Sequence, residues 1–63
     1  MRESNEPTDE QIRKLMAYHH SRGHEYATNH IITATRNVAR CEGITPREAA
    51  AEMIEQRGMT CDS

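Results

Sequence analysis

The sequence contains no tryptophan and no phenylalanine, and its only tyrosines are Tyr18 and Tyr26. A chain of 63 residues with this composition has few bulky side chains from which to build a core. A domain of this size buries only about 60% of the surface that its unfolded chain exposes. We therefore expect one small domain, residues 1–63, whose isolated monomer is marginally stable and which self-association or a partner would stabilise.

Long apolar runs are absent, and the first residues have no apolar core. The sequence therefore predicts neither a membrane-spanning helix nor a signal peptide, and we expect a cytoplasmic protein without a membrane partner. In that compartment Cys41 and Cys61 are expected to be free thiols. A bridge between them would stabilise the fold by roughly 3 kcal/mol in the chain-entropy model, but no feature of the sequence requires it.

Strong net charge is also lacking, since the formal charge is −2. This value argues against polycation-type binding to nucleic acid. The distribution is uneven, because residues 42–63 carry five acids against two bases. Three of these acids, Glu48, Glu52 and Glu55, form an acidic edge beside the apolar face of a predicted third helix.

Catalytic motifs are missing as well. The three glycines are too sparse for a phosphate-binding loop, and no closely paired carboxylates occur in a predicted cleft. Cys41 with a histidine offers a nucleophile and a base, but so small a domain leaves no room for a substrate pocket. We expect no enzyme, no catalytic residues and no cofactor.

Residue types that bind metals do occur. Structural zinc usually requires two tight ligand pairs. Here His20 and His24 are four residues apart, but a predicted helix break at Gly23 lies between them. We therefore expect no metal site. The alternative is a zinc site built from the histidines and cysteines of the chain: His19, His20, His24, His30, Cys41 and Cys61.

Two capping boxes mark helix starts, at Thr8 with Gln11 and at Thr45 with Glu48, where Pro46 follows at the first helical position. The sequence predicts helices over residues 9–21, 25–41 and 46–57, a flexible arm over 1–7 and a tail over 59–63. The expected fold is all-α, a small three-helix bundle completed by dimerisation. A single long helix kinked at Gly23 is the alternative to separate first and second helices.

The second helix has the clearest periodicity in the chain. Its apolar residues recur at steps of four and three, at Ala27, Ile31, Ala34, Val38 and Cys41. Ile32 and Ala39 widen this arc, which indicates neighbours on two sides. The opposite face carries no carboxylate between Tyr26 and Cys41, and consists of Asn29, Thr33, Arg36 and Arg40.

Two functions are compatible with these patterns. The leading hypothesis is a non-enzymatic helical protein, such as a bacterial or phage regulatory or accessory factor, that binds a protein partner or forms a homodimer. The apolar arcs predict an interface at Ile32, Ala39, Met53 and Ile54. The alternative is a nucleic-acid-binding regulator, because the side chains opposite that arc donate to phosphates and base edges: Asn29, Thr33, Arg36 and Arg40.

Part of the chain resembles a known family. Ile31, Ala34 and Val38, followed by the turn Gly43-Ile44-Thr45-Pro46-Arg47-Glu48-Ala49, are similar to the last two helices of ANTAR RNA-binding antiterminator domains. The resemblance covers fewer than half of the residues. This chain has Ala50 where that family usually has a bulky residue. The resemblance implies RNA as a partner.

Overall fold

A computed structural model describes residues 5–60 of the chain. Within that range the protein forms three helices and no strand: α1 (Asp9–Ser21), α2 (Thr28–Glu42) and α3 (Pro46–Glu55). Each helix packs against the other two. The predicted all-α, three-helix bundle is thus confirmed, whereas its completion by a second copy stays a prediction. None of the described helices is both long and apolar enough to cross a membrane.

Helices α1 and α3 begin in the same way. The Thr8 hydroxyl accepts from the Gln11 amide at 3.1 Å, and the Gln11 side chain accepts from the Thr8 amide at 2.9 Å. Thr45 and Glu48 exchange the equivalent bonds at 3.1 and 3.0 Å. Each box satisfies two amides that a helix start would otherwise leave without a partner.

Helices α1 and α2 are separate, and residues 22–27 connect them. Gly23 adopts φ +86°, a conformation that ends α1 and that glycine reaches without strain. Helix α2 begins at Thr28 rather than at Glu25, because Tyr26 packs against the core from the connection. The N-cap of α2 is Ala27, which makes no side-chain capping bond.

The core lies where the three helices meet. Its centre is formed by Leu15 of α1 and Ile31 of α2, which are 0% and 2% exposed. Small side chains let α3 approach closely, since Ala49 and Ala50 are fully buried. The other buried apolar residues are Ile12, Ala39, Met53 and Ile54.

The buried face of α2 differs from the predicted stripe at its ends. Ala27 and Cys41 are exposed, and Ala34 is only partly buried. Thr35 is buried instead, alongside Ile31 of the predicted stripe and Ala39 of the predicted wider arc. The buried face of α2 is therefore rotated relative to the predicted stripe. Its middle is occupied by Thr35, which a search for apolar residues alone does not include.

The segment before α1 packs against the bundle. The Arg47 amide donates to the Asn5 carbonyl at 2.8 Å, and Arg47 Nε donates to the Glu6 carbonyl at 3.0 Å. Pro7 is buried. Residues 5–7, which the sequence assigned to a flexible arm, are therefore held by hydrogen bonds to α3. The remainder of the predicted arm and tail, residues 1–4 and 61–63, lies outside the described range.

Candidate functional site

The residues predicted to line a protein interface lie in or against the core. Ala39, Met53 and Ile54 are 3%, 5% and 9% exposed. Ile32 is partly buried and packs against the same cluster. Folding of a single chain already covers most of this surface, so a partner would contact other residues in this conformation.

The residues of the alternative nucleic-acid face lie together on the exposed side of α2: Asn29, Thr33, Arg36 and Arg40. Arg36 forms an ion pair with Glu6, with Nη2–Oε2 at 3.1 Å and Nε–Oε1 at 3.2 Å. Arg40 Nη2 donates to Asn37 Oδ1 at 3.2 Å. A carboxylate therefore already neutralises one of the two cations of this face.

The potential metal ligands do not converge within the described residues. No group of three or more histidine, cysteine or acidic side chains is placed there to hold a metal ion. His20 instead faces Glu25, with Nδ1–Oε2 at 3.7 Å. Cys41 is exposed, and Cys61 lies outside the described residues.

An open groove runs along the outer side of α3. Gly43 turns the chain in the left-handed conformation, and the Ile44 amide donates back to the Ala39 carbonyl at 3.0 Å. This turn places Ile44 beside the outer face of α3. We call the surface the acidic groove, and its lining residues are Ile44, Glu48, Ala51, Glu52, Glu55 and Gln56.

The floor of the acidic groove is apolar. Ile44 and Ala51 are both partly exposed there. Their neighbours Glu48, Glu52 and Glu55 recur at steps of four and three, so α3 presents all three carboxylates on one side. The groove therefore offers a small apolar surface bordered by acidic side chains.

The carboxylates of the acidic groove have few internal partners. Glu48 accepts from the Thr45 amide as part of the capping box. Arg57 Nη2 lies 3.2 Å from Glu42 Oε2. Neither Glu52 nor Glu55 forms an ion pair with any described residue. The ion pair of Arg57 is thus formed with Glu42, and Arg57 has only a small effect on Glu52.

Glu52 is also close to another acid. A side-chain hydrogen bond with Glu42 raises the pKa of Glu52, and desolvation and the negative charge of Glu42 act in the same direction, against a smaller opposing effect of Arg57. Two carboxyl groups that share a hydrogen bond favour retention of a proton, since the pair repels when both are ionised. The fold therefore holds like charges together at this groove.

The backbone of α3 adds to this repulsion. The last turn of the helix contains no basic residue, and Glu52 and Glu55 lie near its C-terminus. That end of a helix carries a partial negative charge, which favours cations and disfavours acids. A cation supplied from outside would satisfy both the carboxylates and the helix end.

Sequence reasoning identified the acidic edge but missed the apolar floor. Ile44 precedes the helix, and Ala51 is the last of three consecutive helical alanines, so neither is conspicuous in the sequence. Their spacing relative to the acids could have revealed the floor. Positions 44, 48, 51 and 55 follow at steps of four, three and four, which is the spacing of one helical face.

Neither a protein-family model nor a curated protein or solved structure matches this chain. The resemblance of residues 31–49 to ANTAR domains therefore gains no support from these comparisons.

Proposed function

We propose that this chain is a small non-enzymatic regulatory or accessory protein of the cytoplasm, and that it binds a basic amphipathic helix of a partner protein in the acidic groove. The observation that carries this proposal is the pair Glu52 and Glu55, which border an apolar floor and form no ion pair with a described residue. Complementary charge is a general determinant of partner choice and association rate.

Electrostatics favour a cationic occupant. Lysine or arginine beside Glu52 would offset its repulsion with Glu42 and interact favourably with the C-terminal end of α3. Exposed ion pairs contribute only about 0.2–1 kcal/mol each, so charge alone would give weak binding. A second contribution is needed from apolar contact.

The floor of the groove supplies that contribution. An amphipathic helix places apolar side chains at i, i+3 and i+4, and such a row fits a narrow apolar floor such as that of Ile44 and Ala51. Lysine stems can lie along apolar surface while their ammonium groups reach carboxylates. A segment rich in lysine and leucine therefore offers both the apolar contact and the opposite charge that the groove lacks.

The α2 face of a second copy fits the groove less well. Arg36 is already paired with Glu6, and only Arg40 would be available without breaking an ion pair. The same pairing weakens the nucleic-acid alternative, because two arginines are already a small electrostatic footprint. A separate partner protein is therefore the better-supported occupant.

The proposal can be tested with a synthetic helical peptide of lysine and leucine, titrated into the isotope-labelled protein and followed by NMR. We expect chemical-shift changes to be largest at Ile44, Ala51, Glu52 and Glu55. The double variant Glu52→Gln, Glu55→Gln should weaken binding about fivefold, the equivalent of two exposed ion pairs.

The matched control is Asp9→Asn, Glu10→Gln, which removes the same charge from the exposed first turn of α1. It should leave the affinity nearly unchanged. Equal weakening by both double variants would mean that the peptide responds only to net charge, and the groove would lose its role. A peptide in which serine replaces leucine should bind more weakly, and equal binding would argue against the apolar floor.

A further inference from the structure

Four rings meet where α1, the connection and α2 come together. The Tyr26 ring is parallel to His30, with centroids 4.5 Å apart and an interplanar angle of 5°. It is also parallel to His24, at 5.8 Å and 8°. His19 of α1 contacts Tyr26 edge-on at 5.0 Å and 76°. We call these residues the ring cluster.

The ring cluster holds the connection in place. Tyr26 packs against the hydrophobic core, so its ring links the surface histidines to the interior. The His24 amide donates to the His19 carbonyl at 2.9 Å, which ties the connection to the last turn of α1. His30 belongs to the first turn of α2, so the cluster spans the whole junction.

We propose that the ring cluster is a pH-sensitive latch, which holds the junction of α1 and α2 closed at neutral pH and loosens it under mildly acidic conditions. Three imidazoles surround one tyrosine, and histidine is the side chain that gains charge in this range. The latch is independent of the acidic groove and does not rest on the function proposed above.

The charges around His19 oppose its protonation. Its partial burial lowers the pKa of His19, and His24 of the connection, His30 of α2 and Arg22 at the end of α1 lower it further. None of these groups belongs to α3. The nearby carboxylate of Glu25 faces His20 instead, at 3.7 Å, so the positive charges around His19 are not offset by it.

The helix ends act in opposite directions. The first turn of α2, which contains His30, has no acidic residue and carries the positive end of the helix dipole, so a positive charge is disfavoured there. His19 lies in the last turn of α1, where a positive charge is favoured, yet burial and its neighbours still lower its pKa. Arg22, whose guanidinium lies over the Tyr18 ring, adds to the positive surroundings that lower the pKa of His19.

The sign of the effect follows from linkage. Because the pKa of His19 in the folded protein lies below its ordinary value of 6.5, the unlatched form binds more protons as the pH falls through 6.5. The closed junction therefore loses stability on acidification and keeps it above that pH.

Amide hydrogen exchange of the intact chain tests the latch at pH 7.5 and pH 5.5, with rates corrected for the intrinsic effect of pH. Exchange in residues 22–30 should be faster at the lower pH, by at most about tenfold, because pH 5.5 lies one unit below the ordinary histidine pKa of 6.5. An imidazole titration by NMR should place His19 below 6.5. Equal corrected exchange at both values would overturn the proposal.

The variant His24→Gln, His30→Gln should raise the pKa of His19 and reduce the pH dependence, but not abolish it, because burial and Arg22 still lower that pKa. His20→Gln is the matched control, because this exposed histidine pairs with Glu25. It should retain the pH dependence of the parent protein. Loss of pH dependence in the His20 variant, or an unchanged pKa of His19 in the double variant, would contradict the latch. If the double variant does not fold, the parent's exchange and titration decide.

Discussion

At the scale of single residues, Thr35 is the fully buried polar side chain of the described core. Its hydroxyl donates to the Ile32 carbonyl at 2.7 Å, one turn earlier in the same helix. Threonine can satisfy its hydroxyl in this way without a partner from another helix. Sequence periodicity does not reveal this option, and this is why the buried face of α2 was predicted around Ala27 and Cys41 instead.

Replacing Thr35 with Val should be neutral or stabilise the protein by up to about 1 kcal/mol. The change keeps the shape of the buried side chain, removes a hydroxyl from an apolar site, and leaves the Ile32 carbonyl available to the helical backbone. Thermal or urea unfolding measures the effect. A loss above about 1 kcal/mol would mean that the hydroxyl has a role beyond its bond to Ile32.

At the scale of helices, the sequence predicted most of what local chemistry determines. Thr8 and Thr45 have side chains that cap a helix, and both helices start beside them. No such residue marks the start of α2, whose position depends on the packing of Tyr26 against the core. The acidic edge of α3 was predictable for the same local reason, whereas the contribution of Ile44 depends on the turn that precedes the helix.

Two cap substitutions should therefore act in opposite directions. Ala27→Ser should stabilise the protein by roughly 1 kcal/mol, because Ala27 has the extended backbone of an N-cap, φ −69° and ψ 159°, but makes no capping bond. Thr45→Ala should destabilise it by about 1 kcal/mol, because the Glu48 amide loses its acceptor. Chemical denaturation of both variants provides the measurement.

The two variants control each other, since each changes one hydroxyl at a helix start. An unchanged stability of the Ala27 variant would mean that the connection cannot bring a serine hydroxyl to the amides of α2. An unchanged stability of the Thr45 variant would assign the start of α3 to Pro46 alone.

At the scale of the whole molecule, the core is small for an independent domain. Three of its buried residues, Ala39, Ala49 and Ala50, contribute little apolar area. Area burial supplies about 25 cal/mol per Å², so short side chains leave a thin margin over conformational entropy. The composition, with neither phenylalanine nor tryptophan, had already indicated this margin.

A thin margin makes self-association the expected remedy, and we predict a homodimer at micromolar concentration. Folding and association would then be linked, and a concentration a hundredfold above the dissociation constant would stabilise the fold by about 2.7 kcal/mol. Sedimentation equilibrium should give twice the mass of the chain, and the melting temperature should rise with protein concentration, by about 10 °C or more across that range. The variant Glu52→Gln, Glu55→Gln tests whether the dimer forms through the acidic groove. A dimer that forms through another surface should keep its mass and its stability in this variant. A monomeric mass with a melting temperature independent of concentration would show that this small core suffices alone.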